Sequence, residues 1–221
     1  IVGGDFESSS IDLGNGISLT NKGSTSYCDG MIIKYNAAGE VEWAEGIGGT
    51  NGDYIRSVAE TSDGGYIVGG SFGSRSINLG NGISLTNKGS GTTIYSDGML
   101  IKLEKIERPT PPVKKAYGIG GTGDDFIITV AETSDGGYIV GGEFDSSSIE
   151  LGNGISLTNK GSLDGMLIKY NATGEVEWAE GIGGGYSDYI ESVAETSDGG
   201  YIVGGDFESS SIDLGNGISL T

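Results

Sequence analysis

The sequence has no histidine, one cysteine, three prolines and no apolar run approaching the ~18 residues of a membrane-spanning helix. Lacking histidine, it lacks the commonest general acid–base side chain. Cys28 cannot close an intrachain disulfide, and the aligned positions of the other repeats hold no cysteine, so no disulfide framework is expected. Basic residues are also scarce, 12 against 31 acidic ones, for a net charge of −19. Such a chain repels phosphate backbones and anionic lipid surfaces, which argues against nucleic acid as a partner and against membrane insertion. No charged-then-apolar leader precedes Ile1 and no initiator Met opens the chain, as in a processed or excerpted sequence.

Glycine is abundant, 44 of 221 residues, and with 35% hydrophobic residues this favours a β-rich fold over long helices. An Ile-Val-Gly-Gly phrase recurs at Ile1, Ile67, Ile139 and Ile202, spaced by 66, 72 and 63 residues. Ile1 to Thr20 recur without change as Ile202 to Thr221. The chain therefore reads as a single array: repeats 1–66, 67–138 and 139–201, then the opening of a fourth over 202–221. No composition shift or linker divides it into different domains.

Each repeat carries four segments of strand character. In the third, Gly165 to Tyr170 is an apolar run that ends at an Asn171-Ala172-Thr173-Gly174 turn, and Glu175 to Glu180 alternates polar with apolar residues. Tyr189 to Thr196 follows a glycine-rich stretch, and Ser197-Asp198-Gly199-Gly200 turns the chain into Tyr201 to Gly205. Grouped as two hairpins, these predict a four-stranded antiparallel sheet per repeat. A Ser-Ile-Asp-Leu-Gly-Asn-Gly-Ile-Ser-Leu-Thr insertion before the next apolar run predicts a small hairpin through its Asn-Gly pair. A period above 60 residues with four strands per unit fits an all-β, propeller-like array of blades.

Asp29-Gly30-Met31-Ile32-Ile33-Lys34-Tyr35-Asn36, Gly39, Trp43 and Gly48-Gly49 resemble the pattern of the bacterial β-propeller repeats known as SBBP repeats, as do Asp164 to Trp178. The resemblance covers essentially the whole chain and implies, loosely, an extracellular or cell-surface setting of bacterial type. Asn171 to Trp178 is also similar to the tryptophan-docking phrase of quinoprotein propellers, in which Trp packs between blades. That likeness implies architectural positions for Trp43 and Trp178, and no cofactor is expected from it. Ser62-Asp63-Gly64-Gly65 and its copies at Asp135 and Asp198 resemble the Asp-box turn of sialidase-type propellers, a fold element that makes structural blade positions of these three aspartates.

The second repeat departs from the pattern. A longer segment replaces the tight turn, Lys115 stands where Trp stands elsewhere, and Lys105, Arg108, Lys114 and Lys115 make a locally basic loop on an acidic protein. Such a loop reads either as a partner contact or as an ordinary solvated insertion.

No serine or cysteine stands in a nucleophile motif with a general base in prospect, and the chain reads as non-enzymatic. Asp53, Asp124, Asp125 and Asp188, in equivalent loops after the Gly-Gly pair, are candidate calcium ligands or structural turn residues, and their spacing matches no known calcium loop. The leading expectation is a structural or adhesive scaffold that self-associates, by ring closure such as a six-bladed pair of chains or by head-to-tail growth, because closure takes about four to eight blades. The alternative is a carbohydrate-binding propeller with one shallow tyrosine-lined site per blade. Glycans or surface proteins are the other partners considered.

Overall fold

The computed structural model describes residues 1–23, 26–89, 95–105, 112–214 and 217–221. The described residues contain no helix and form antiparallel sheets. In chain order the strands are β1 (Val2–Phe6), β2 (Ser10–Asp12), β3 (Ser18–Thr20), β4 (Asp29–Tyr35) and β5 (Val41–Ile47). There follow β6 (Asp53–Glu60), β7 (Tyr66–Phe72), β8 (Ser76–Asn78), β9 (Ser84–Thr86), β10 (Asp97–Leu103) and β11 (Val113–Ile119). The next set is β12 (Asp125–Glu132), β13 (Tyr138–Phe144), β14 (Ser148–Gly152), β15 (Ile155–Thr158), β16 (Asp164–Tyr170) and β17 (Val176–Ile182). The last are β18 (Asp188–Glu195), β19 (Tyr201–Phe207), β20 (Ile212–Asp213) and β21 (Ser219–Leu220).

Four sheets carry the repeat: β1-β4-β5, β6-β7-β10-β11, β12-β13-β16-β17 and β18-β19. The boundary between sheets falls at the Gly-Gly loop after β5, β11 and β17. The two hairpins that the sequence groups into one repeat thus belong to adjacent sheets. What joins the halves of a complete sheet is pairing across the long insertion, as between β7 and β10 or β13 and β16. The insertion permits this because its ends are tied together. Asn87 Nδ2 donates to the carbonyls of Phe72 and Tyr95 at 3.0 and 2.7 Å, and Asn159 makes the same bond to Phe144 at 2.8 Å.

Within the insertion, β8 pairs with β9 and β14 with β15, as the Asn-Gly signal predicts. Asn81 and Gly82 both adopt positive φ, 52° and 76°, the backbone of a turn whose twist matches its flanking strands. Ile77, Leu85, Ile149 and Leu157 on these hairpins are buried in the same clusters as Phe72 and Phe144, so each hairpin covers apolar surface of its sheet.

Sheets stack face to face, with β12 against β6 and β7, and β18 against β12 and β13. In the complete sheets the Gly-Gly pair of β7 and of β13 serves two different approaches. A Cβ on Gly141 would fall 2.7 Å from Ile190 Cγ2 of the next sheet. A Cβ on Gly142 would fall 2.0 Å from the carbonyl oxygen of Phe126 in its own sheet, where β12 bulges between Ile127 and Thr129. The first glycine lets sheets close on one another, and the second accommodates the bulge.

Candidate functional site

Three kinds of node hold neighbouring sheets together. The first is built on the aspartates that open each sheet. Asp53 accepts from Gly49 N at 2.8 Å, Ser74 Oγ at 2.7 Å and Ser74 N at 3.1 Å. Asp125 repeats this with Gly121 and Ser146, and Asp188 with Gly184 and Ser209. Asp124 accepts from Ser96 N at 2.7 Å. The four candidate calcium ligands therefore face amide and hydroxyl donors, and among the described residues no group of three or more acidic or cysteine side chains is arranged to hold a metal ion.

Sequence reasoning missed a second row of aspartates, Asp29, Asp97 and Asp164, at the starts of β4, β10 and β16. Each is wholly buried, accepts from the backbone of Lys22, Lys88 or Lys160, and has one carboxylate oxygen without a partner among the described residues. The two rows converge: a Cβ on Gly120 would lie 2.6 Å from Asp97 Oδ1 and 2.9 Å from Asp125 Oδ2. Burial pushes Asp53 and Asp97 up to about 6 and raises Asp29, Asp125 and Asp164 as well. An acid whose folded pKa is raised contributes stability that is fully present below its unfolded value and is lost as pH rises through the folded one. Stability should therefore increase as pH falls from 7 toward 4.5, by on the order of 1–3 kcal/mol for each strongly shifted carboxyl. Thermal unfolding across this range would show it as a rising Tm, and a Tm that is flat or falling there would contradict the account that burial raises these carboxyls.

The second node is the Ser-Asp-Gly-Gly turn. Asp63 accepts from Thr61 Oγ1 at 2.6 Å, Gly65 N at 2.9 Å and Lys102 Nζ at 2.9 Å; Asp135 accepts from Thr133, Gly137 and Lys169 at 2.6, 2.9 and 2.9 Å. The threonine hydroxyl first, then the lysine, holds Asp63 and Asp135 below the usual carboxylate range. Asp198 is lowered likewise by Thr196 and the Gly200 amide. The serine faces the next sheet: Ser62 N and Oγ both donate to Glu132, and Ser134 N and Oγ to Glu195.

Aromatic contacts form the third node. Trp43 on β5 meets Tyr66 on β7 edge to face, ring centroids 5.8 Å apart, and Trp178 on β17 meets Tyr201 on β19 at 5.6 Å. Between the second and third sheets the pattern changes. Lys115 pairs in register with Lys102 as Trp43 does with Lys34, so it occupies the tryptophan position. Tyr138 there faces Lys102 Nζ at 5.9 Å, and Tyr117 crosses to Tyr170, centroids 5.6 Å apart. A cavity of about 470 Å³ opens at this junction. Of the basic loop residues, Lys114 and Lys115 line it, while Lys105 lies against the Gly64 turn and Arg108 falls outside the described residues.

Gly69-Gly70-Ser71-Phe72-Gly73 also has the spacing of a serine-nucleophile motif. Ser71, however, is wholly buried inside β7, without the exposed strand-to-helix elbow that such chemistry uses.

In comparisons with known proteins, no family model matches the chain and no curated protein matches it.

Proposed function

We propose that this chain is a non-catalytic β-propeller repeat protein of extracellular or cell-surface setting, acting as a structural or adhesive scaffold whose blades are completed by strand pairing with another stretch of the same repeat. The observation that carries the reading is the pair of half-sheets. In the third sheet β12 and β13 are followed by β16 and β17; β18 and β19 repeat the first half of that pattern and β4 and β5 the second, while β1 holds on β4 the place that β13 holds on β16. Val-Gly-Gly-Asp-Phe is the sequence of β1 and of the matching part of β19, so either strand fits between a β18 and a β4.

The surfaces agree with this. Ile202 is 64% exposed on β19, whereas its counterparts Ile67 and Ile139 are wholly buried, and Phe207 contrasts in the same way with Phe72 and Phe144. Pairing of a second copy's β4 and β5 beside β19, with β19 taking the place that β1 holds on β4, would bring that copy's β6 onto this face and bury Ile202, giving ring closure or head-to-tail growth by strand exchange. The resemblance to SBBP repeats supports the surface setting. The exposed tyrosines Tyr27, Tyr35 and Tyr186 fall at non-equivalent positions, which favours the scaffold over a lectin with one site per blade. Glycan-array binding lost on mutation of one repeated tyrosine would reverse that preference.

A further inference from the structure

At the cavity between the second and third sheets the repeat departs from its own rules in several residues that face a common space. The outer strands β5 and β17 read Val-Glu-Trp-Ala-Glu-Gly-Ile, and β11 reads Val-Lys-Lys-Ala-Tyr-Gly-Ile. The three substitutions introduce Lys114, Lys115 and Tyr117, and all three line the cavity. An indole slot has thus been emptied and its rim recharged.

The slot keeps the tyrosine that the missing indole would meet. Tyr138 is 7% exposed and occupies the place of Tyr66 and Tyr201, the partners of Trp43 and Trp178. The opening, about 470 Å³, lies within the range of small-molecule sites, roughly 300–1,000 Å³. Tyr117 adds a second aromatic wall beside Gly174.

Its charge is the reverse of the protein's. In the third sheet the buried Lys169 is met by two carboxylates, Asp135 at 2.9 Å and Glu177 at 3.1 Å. In the second sheet Lys102 has Asp63 at 2.9 Å, but Glu177 is matched by Lys114, whose own ion pair to Glu104 is long, 3.9 Å, and exposed. Lys115 reaches across the cleft to the Thr173 carbonyl, and no carboxylate among the described residues lies within ion-pair distance of it. The two acidic groups that line it are already engaged, Asp63 by Thr61, Gly65 and Lys102, and Glu132 by the Ser62 amide and hydroxyl. Two ammonium groups beside an aromatic slot favour an anion with a flat apolar body, because a carboxylate gains from both cations while the ring replaces lost aromatic contact.

We propose that this cavity is a binding site for a small aromatic carboxylate, its ring lying against Tyr138 in the vacated indole position and its carboxylate facing Lys114 and Lys115. The test is titration calorimetry of the intact chain with indole-3-acetate as probe, with the neutral 3-methylindole and with galacturonate alongside. Saturable binding of indole-3-acetate is expected, weakened by about tenfold or more when the carboxylate is absent, and weak or absent for the sugar acid. Lys115→Trp refills the slot and Lys114→Glu restores the sister-strand residue. Both introduce what β5 and β17 already carry, so both should fold, confirmed by an unchanged or higher Tm, and each should reduce affinity about tenfold or more. Absence of saturable binding to the wild-type chain overturns the proposal, as does binding that survives Lys115→Trp. Tighter binding of galacturonate than of indole-3-acetate overturns the aromatic assignment.

Discussion

Replacing Gly142 by alanine is expected to destabilise the chain by about 3 kcal/mol or more, at the severe end of single-residue effects. The added methyl would sit 2.0 Å from the Phe126 carbonyl oxygen and 3.1 Å from its carbon. Both are backbone atoms, held by the ladder that pairs Phe126 with Glu143 and Ile127 with Gly142, so no rotamer change relieves the clash. Relief requires undoing the bulge, which would move Ile127 and Val130 out of the buried cluster they share with Val140 and Phe144. Gly185→Ala is the matched control. Nothing lies within 4 Å of its added carbon, and the change should stay within about 0.5 kcal/mol of wild type. Urea unfolding of the two variants checks the difference, and equal stabilities would refute the bulge as the reason for the Gly-Gly pair.

The second large effect concerns association. Ile202→Lys places a charge where the same residue type is wholly buried by the following sheet: Ile67 clusters with Ile127 and Val130 of β12, and Ile139 with Ile190 and Val193 of β18. Burial of an unpaired ammonium costs several kcal/mol, enough to abolish docking of another copy's sheet on the β19 face. In the isolated chain Ile202 is largely exposed, so the substitution should leave the Tm of the monomer nearly unchanged. Loss of assembly without loss of stability is the expected pattern, read from sedimentation velocity beside thermal unfolding. An assembly that tolerates Ile202→Lys would place the contact elsewhere.

Strands, tight turns and the Asn-Gly hairpins were legible in the sequence because their signals are local: alternation over Glu175 to Glu180, glycine at the positive-φ position Gly174, and the Asn81-Gly82 pair. The equivalence of Lys115 to tryptophan was legible from alignment of the repeats and agrees with the strand register. Less legible was which hairpins share a sheet. That depends on Asn87 and Asn159 drawing together segments on either side of the insertion, a bond between residues 15 apart for Asn87 and Phe72. The Ser62–Glu132 and Ser134–Glu195 latches join residues 70 and 61 apart, beyond any local pattern. The buried row of Asp29, Asp97 and Asp164 looked like ordinary strand starts, since only packing brings each beside a second carboxyl. Lys114 and Lys115 read as part of a protruding loop; in three dimensions they belong to β11 and face a cavity.

The proposed scaffold rests on strand edges that complement one another, and the mass of the chain in solution tests this most directly. Light scattering coupled to size exclusion, over a wide concentration range at neutral pH, should show assemblies heavier than the 22.6 kDa chain that dissociate on Ile202→Lys. A single species of monomer mass at every concentration would contradict it.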